Sequence, residues 1–376
     1  MLATVGKKSD ASSSERFKRN SLLQALHRRG VSSRLQLAGQ LQISNSRVCD
    51  LVDRMVEEGL LREEQTGEQR RGRGGVRVQI NPRFGHLLGF DMEAKRLRLV
   101  VTDFAGAIVW ETRKNLRPPR NRQAFIEQIL SFINDAISEV KPKFARLLGI
   151  GLAASGVIDS RRGVILHYDP VPQAIELPLR DLVKQQVKLP CVMENNIRAM
   201  TLAEWTSGAA KGLKSFACMA VRSGVGAGVV LDGRLIAGHH GFCGETGYMV
   251  IPSGPRMAQW KSLQQTVSES ALGLDVESNG LAMSQATARR AGEVLGSQIA
   301  SIAALIDPQA IVLAGGMLHP QGPVWPHVVR AFQSMALREL AQQVPLLPAQ
   351  LGPFAAAQGA AYRCLYELFP LAAGER

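Results

Sequence analysis

The chain is poor in cysteine, with five residues in 376, at positions 49, 191, 218, 243 and 364. The number is odd and no two form a C-x-x-C pair, which argues against a disulfide framework and against a cysteine-built metal site. Long apolar runs are also missing. The stretch from Leu147 to Ile158 is too short and too rich in glycine to cross a bilayer, which takes about 20 apolar residues. The basic N-terminus, MLATVGKKSDASSSERFKRN, is not followed by the apolar segment of a secretory signal. A reducing cytoplasm and no membrane association are therefore expected. What is present, 45% apolar residues, 36 glycines and 20% charged residues over a length that suits two or three domains, excludes general disorder and collagen-like or coiled-coil architectures.

Acids are scarce beside bases: 45 Lys+Arg against 32 Asp+Glu leave a formal charge of +13, which invites a polyanion as partner. The excess is uneven. Residues 1–84 carry +7 of it and the remaining 292 residues only +6. Within the first part, Arg70, Arg71, Arg73, Arg77 and Arg83 fall in QRRGRGGVRVQINPR without one acid.

The residues before that segment have the pattern of three helices. Ser13 or Ser14 is placed to cap the first, with Leu22, Leu23 and Leu26 at helical spacing before Gly30. Ser33 caps a short second helix carrying Leu35, Leu37, Ala38 and Leu41. Ser44 caps a third, with Val48, Leu51, Val52 and Met55 on one stripe before Gly59. Leu60–Arg62 and Val76–Ile80 then suggest two strands around an arginine-rich tip, which completes a winged helix-turn-helix over residues 1–83. This arrangement would set Ser44, Asn45, Ser46 and Arg47 against base edges and phosphates of double-stranded DNA, and Arg70, Arg71, Arg73 and Arg77 against phosphate or the minor groove. The bland alternative is a three-helix interaction module with a solvated basic loop.

Pro82 marks a boundary. LLGFDM, RLRLVVTD and AIVWETRKNL suggest a strand meander, followed by a helix from Arg122 to Val140 and the apolar strand LLGIGLAA. A second meander opens near Phe216 with SFACMAVRSG, GAGVVLDG and RLIAG, followed by a helical stretch over 284–305 and the strand IVLAGG. Two halves that open alike predict a duplicated, two-lobed α/β fold with a cleft between the lobes.

The order of a winged helix, LGIGLAASGVID, MENNIRAMTLAEWTSGAA, SGVGAGVVLDGRLIAGHHGFCGETGYMVI and IVLAGG resembles the ROK family of sugar-responsive repressors and sugar kinases. The resemblance runs from about Glu15 to Tyr362 and implies an actin-like (RNase H-like) ATPase fold over residues 84–376. It puts lobe 1 at about 84–195 plus a C-terminal helix at about 354–370, and lobe 2 at about 196–353. The DNA-binding segment points to the repressor branch, with a homodimer or homotetramer as the assembly.

The resemblance also says what this chain lacks. The family's first phosphate loop is an Asp followed by a Gly-rich turn; here Asp91-Met92-Glu93-Ala94-Lys95-Arg96 keeps only the Asp, and Glu93 would repel a phosphate. The second loop, with Gly224, Gly226 and Gly228, and the adenosine-side pair Gly315 and Gly316 survive in form, although tight strand turns need glycine in any case. The family's Asn-Asp pair is Asn195-Asn196, and an amide cannot accept the hydroxyl proton, so no catalytic residue and no kinase activity are expected. The family's zinc ligands fall on Tyr248, Ala258, Trp260 and Gln265, none of which binds zinc, and no cofactor is expected. The resemblance places a carbohydrate-type effector at Ser155, Gly156, Asn195, Asn196, Glu245 and Tyr248. Arg198, if turned to that pocket, would favour an anionic sugar; the alternative pairs it with Glu194 or Glu204 on its own helix. A DNA-binding regulator that ignores ligands stays open as the second reading.

Overall fold

The computed structural model describes residues 6–65, 76–171, 173–253 and 259–368. Leu22, Leu23 and Leu26 are fully buried on α1 (Gly6–Arg29), which Gly30 ends at φ +74°. The helix begins upstream of Ser13 and Ser14, so neither serine caps it. Ser32 and Ser33 form a short strand, β1 (Ser32–Ser33), before α2 (Arg34–Leu41). Ser33 Oγ accepts from Gln36 N at 3.2 Å and Gln36 Oε1 accepts from Ser33 N at 2.8 Å, so the helix starts with a capping box. Helix α3 (Asn45–Glu57) buries Val48, Leu51, Val52 and Met55. Ser44 stands at its N-cap position but caps no amide; its hydroxyl lies 3.3 Å from Ser46 Oγ. Strands β2 (Leu61–Gln65) and β3 (Val76–Ile80) pair antiparallel, and β1 joins them by pairing Ser33 with Arg77, giving the wing three strands rather than the two expected.

After a 3-10 turn at Pro82–Phe84, β4 (His86–Met92), β5 (Arg96–Asp103) and β6 (Ile108–Asn115) form the first meander. Helix α4 (Arg122–Val140), β7 (Leu147–Ala154), the hairpin β8 (Val157–Asp159) and β9 (Val164–His167), α5 (Leu179–Val187) and β10 (Cys191–Asn195) follow. The sheet order is β10-β7-β4-β5-β6, with β4, β7 and β10 parallel. Helix α6 (Asn196–Ser207) leads into lobe 2. There β11 (Phe216–Val221), β12 (Val225–Leu231) and β13 (Arg234–Leu235) repeat the meander. The hairpin β14 (Val250–Ser253) and β15 (Gln259–Ser262), α7 (Leu263–Val267), α8 (Val276–Asn279), α9 (Gln285–Ile306), β16 (Ala310–Ala314), α10 (Trp325–Met335), α11 (Arg338–Gln343) and β17 (Leu346–Pro348) complete it. Its order, β13-β12-β11-β16-β17, repeats that of lobe 1 strand for strand. The fold is a winged helix-turn-helix joined to a two-lobed, actin-like α/β body.

Helix α12 (Ala355–Leu368) returns to lobe 1, where it packs on β4 and β7, and crosses α6, which also packs on β11 and β12 of lobe 2. The crossing is tight: a Cβ on Gly359 would lie 1.7 Å from the carbonyl oxygen of Ala199. Val48, Leu51 and Leu22 of the winged part belong to one continuous core with Ala199 and Trp205 of α6 and Ala356 and Tyr362 of α12. The winged part is therefore not a bead on a tether. Among the described residues no helix is long and apolar enough to cross a membrane.

Candidate functional site

The cleft between the lobes holds a cavity of about 510 Å³. Its floor comes from the C-terminal ends of parallel strands, where an open α/β sheet leaves its crevice. Ser155 and Gly156 follow β7, and Gly156 sits at φ +96° with no room for a Cβ, which would come within 2.4 Å of His167 O. Ser155 Oγ donates to Met92 O at 2.8 Å and accepts from Asn196 Nδ2 at 2.8 Å. Asn195 caps α6, its Oδ1 accepting from Ile197 N and Arg198 N at 2.9 and 3.2 Å, while its Nδ2 donates to Glu245 Oε1 at 3.4 Å. Burial raises the Glu245 carboxyl above its usual range, and Arg198 offsets only part of this. Ser155, Gly156, Asn195, Asn196, Glu245 and Tyr248 thus line one cavity, joined by His167, Tyr168 and Asp169 of the β9 segment and Gln264 and Ser268 from lobe 2. His167 and Asp169 contact each other at 2.6 Å.

Arg198 does not join them. Its guanidinium is buried between lobe 1 and the 238–245 loop, with Nε donating to Glu194 at 2.8 Å, Nη1 to Gly241 O at 2.6 Å and Nη2 to Ser160 Oγ at 3.1 Å. Burial works to raise the Glu194 carboxyl, but Arg198 and then Arg363 hold it below its usual range. Expecting Arg198 to favour an anionic ligand is therefore corrected: its charge is matched by the carboxylate four residues earlier, and Arg198 positions the cavity walls from behind. Glu204, the other partner considered, accepts instead from Ala209, Gln350 and Leu351 amides.

Next to the cavity an ionic cluster bridges the lobes. Asp91 and Glu93, at the end of β4, face Arg222 across the lobe boundary: Arg222 Nη2 donates to Asp91 Oδ2 at 2.9 Å and to Glu93 Oε2 at 2.6 Å. Arg98 Nη1 reaches the same two carboxylates at 3.1 and 2.9 Å, and its Nη2 pairs with Glu277 of α8. Arg96 pairs with Asp275 at 2.6 Å, beside α8. Burial alone would raise the Glu93 carboxyl; Arg222 and Arg98 overcome it and hold Glu93 at about 2. Glu269, half-buried near Glu93, is pushed up to about 7 by burial and then by that neighbouring carboxylate.

The glycines divide between the two sides. Gly224 and Gly226 line the cavity at the turn from β11 to β12. Gly228 faces α6, where a Cβ would meet Thr201 Oγ1 at 2.0 Å, so its absence of a side chain is a packing requirement. Gly315 lies against Val221 O, and Gly316 is covered by Val276 of α8, whose Cγ1 would lie 2.5 Å from an added Cβ. Trp260 is exposed on β15, Gln265 completes a capping box with Ser262, and Ala258 lies outside the described residues. No cluster of three or more metal-binding side chains occurs among the described residues.

On the winged part, Ser44, Asn45, Ser46 and Arg47 are all exposed at the start of α3, and Arg77 is exposed on β3. Arg34 braces the wing to α3, pairing with Asp53 and, at 2.6 Å, with Glu63. Arg70, Arg71 and Arg73 lie outside the described residues. Sequence reasoning missed Arg222, His167, Tyr168 and Asp169 as cleft residues. Arg222 directly precedes the Ser-Gly-Val-Gly turn, and that adjacency was the available signal.

Comparison with known proteins places this arrangement. The xylose repressor of Bacillus spizizenii is 25% identical over 360 residues, covering 90% of this chain and 92% of its own, and the regulator NagC of Escherichia coli K12 is 25% identical over 350 residues, covering 86% of each. With a putative xylose repressor of a Caldicellulosiruptor strain, 27% identical, the match spans 58% of this chain and just over half, 55%, of the relative. Among solved structures, a ROK family transcriptional regulator homologous to the E. coli MLC protein superposes with a TM-score of 0.77 at 19% identity, covering 94% of this chain and 97% of its own. The ROK hexokinase of Thermus thermophilus gives 0.59 at 26% identity, covering 75% of this chain and 99% of its own. The ROK family pattern itself matches residues 87–365, most of the chain, and the protein belongs to the ROK family.

Proposed function

We propose that this protein is a transcriptional repressor of the cytoplasm that binds double-stranded DNA as a homo-oligomer, takes an uncharged sugar in its interlobe cavity and transfers no phosphate. One observation carries this reading: a winged helix with an exposed recognition-helix start is built onto a body with an open interlobe cavity, beside which two buried carboxylates at the end of β4 are paired with arginines. The names of the relatives, repressors of xylose and N-acetylglucosamine systems, support it.

The donor set of the phosphate side does not fit a nucleoside triphosphate. A triphosphate needs backbone amides and cations turned towards it. Here two buried carboxylates stand at the end of β4, and the arginines beside them are already paired. Asn196 adds that the residue nearest a sugar hydroxyl has no basic oxygen to take its proton. On the sugar side, Asn195, Asn196, Ser155 and Glu245 offer the mixed donors and acceptors that hydroxyl groups require. Arg222, the cation among the described lining residues, is matched by two carboxylates, so the cavity favours a neutral ligand over an anionic one.

Two copies would set their α3 helices into half-sites about one helical turn apart. The test is fluorescence anisotropy with a duplex selected from a random library by the protein. Replacing Arg71 and Arg73 with Ala should weaken binding and lower the slope of log affinity against log salt by about 2. D-xylose or N-acetylglucosamine at millimolar concentration should raise the melting temperature and release the duplex. An unchanged salt slope would remove the wing from the interface. No response to any neutral sugar would leave a ligand-independent regulator.

A further inference from the structure

Adjacent residues at the end of α1 contact both sides of the α6–α12 crossing. His27 is buried against lobe 1: Nδ1 lies 3.1 Å from Leu23 O and Nε2 3.0 Å from Phe104 O, in the turn between β5 and β6. Its ring meets Tyr362 and Tyr366 of α12 edge-on at 6.1 Å. Arg28, one residue on, places its guanidinium 3.8 Å over the ring of Trp205, at the far end of α6. Tyr362 Oη donates to Gly106 O of the same turn at 3.3 Å and lies 3.4 Å from Ser207 Oγ at the end of α6. Helix α1 is thus seated across the crossing of the two helices that join the lobes.

We infer that α1 reads the angle between α6 and α12, so that Arg28 and His27 are the positioning residues through which the interlobe cavity sets the orientation of the winged domain. The inference rests on the reading given under Proposed function and adds the route of regulation. Three features support it. The N-cap of α6, Asn195, is itself a cavity residue, and Trp205 lies on the same helix about 15 Å along, at 1.5 Å per residue. The helix is buried along almost its whole length, so it transmits displacement as a rod. And α12 cannot slide along its own sheet, since Gly89 and Gly151 receive Ala357 O and Ala360 O where a Cβ would lie within 2 Å. A ligand that tightens the contact of Glu245 of lobe 2 with Asn195 would pivot α6 about its close crossing with α12 at Gly359, and the seat of α1 spans both. Burial lowers the His27 imidazole to about 4 against the pull of the two carbonyls, and the neutral ring donates to one of them.

The test uses the full chain and Asn195→Ala, which removes the cap of α6 without touching the winged domain. In the wild-type background this substitution is expected to change affinity for the selected duplex about fivefold or more, and in an Arg28→Met background by less than about twofold. Equal factors in the two backgrounds overturn the inference, as does an unaltered affinity on Asn195→Ala alone. Should Asn195→Ala fail to fold, Asn196→Ala replaces it in the same comparison. In a second arm, Arg28→Met should keep the melting shift caused by millimolar D-xylose or N-acetylglucosamine while its duplex affinity stops responding to the sugar; a duplex response that persists in Arg28→Met overturns the inference. If neither sugar shifts the melting of the wild type, the effector reading fails, and the paired substitutions still decide whether α1 is coupled to the cavity.

Discussion

On one side of the cleft, the end of β4 meets lobe 2 through Asp91, Glu93 and Arg222. On the other, the ends of β7 and β10 and the turn from β11 to β12 leave about 510 Å³ lined mostly by uncharged polar groups, with Glu245, Asp169 and the edge of Arg222. Both sides use residues that follow parallel strands, so the backbone alone does not decide which is filled. The difference lies in counter-charge: Arg98 of β5 and Arg222, just after β11, pair with the acids on the first, and mostly uncharged polar groups line the second. Buried acids at a strand end can serve as a strut between lobes, provided that cations stand beside them. The strut is imperfect. Asp91 Oδ1, Arg98 Nε and Arg222 Nη1 are buried without a hydrogen-bond partner, so the cluster resists removal of a member more than it adds net stability.

The contrast gives substitutions of graded effect. Arg222→Ala should be the most damaging, costing about 3 kcal/mol in urea unfolding because it leaves Asp91 and Glu93, both buried, to share Arg98 as their cation. A loss below about 1 kcal/mol would mean that the cluster is solvated and not a strut. In the open half, Glu245→Gln should leave stability within about 1 kcal/mol yet weaken neutral-sugar binding about tenfold, as read by calorimetry. If the two variants behaved alike, the division of the cleft would be wrong. A smaller effect is expected from pH. The folded chain keeps a proton on Glu269 up to about 7, whereas the unfolded carboxyl releases it near its ordinary value of 4.5. The raised acid therefore favours the folded state at low pH, and stability should fall as pH rises from 4.5 to 7, by an amount on the order of 1 kcal/mol for this partly solvated group. Glu269→Gln should remove that slope. Least of all should follow from Asn196→Asp: restoring a carboxylate in the open half should produce no sugar-dependent ATP hydrolysis while Arg222 and Glu93 hold the other half.

Much of the architecture was legible because it rests on short-range periodicity. The two meanders, α4, α9 and the three winged-part helices follow from apolar spacing and glycine stops. The pocket residues Asn195 and Glu245 became legible through the family resemblance, since nothing local ties two positions 50 residues apart. The ionic strut was not legible. RLRLVVTD alternates, which suits a strand with one wet face, yet Arg96 and Arg98 are both buried. Their partners lie on other elements, and Arg222 is 131 residues from Asp91. Arg198 was ambiguous for the opposite reason: spacing of four predicted its pairing with Glu194 and could not show that Ser160 and Gly241 complete the shell. The missing serine cap on α3 is of the same kind, because Ser44 has the right type and place but turns to Ser46.

The continuous core beneath α1 has a consequence for how such proteins diversify. A DNA-binding cassette on a flexible tether can be exchanged between bodies by recombination at the linker. Here a cut at Pro82 would bare Leu22, Leu23 and Leu26 on one fragment and the faces of α6 and α12 on the other. A chimaera would need matched surfaces at Trp205, Tyr362 and Tyr366 as well as a join, so exposed positions on α3 and β3 can vary far more easily than the whole segment can be transplanted.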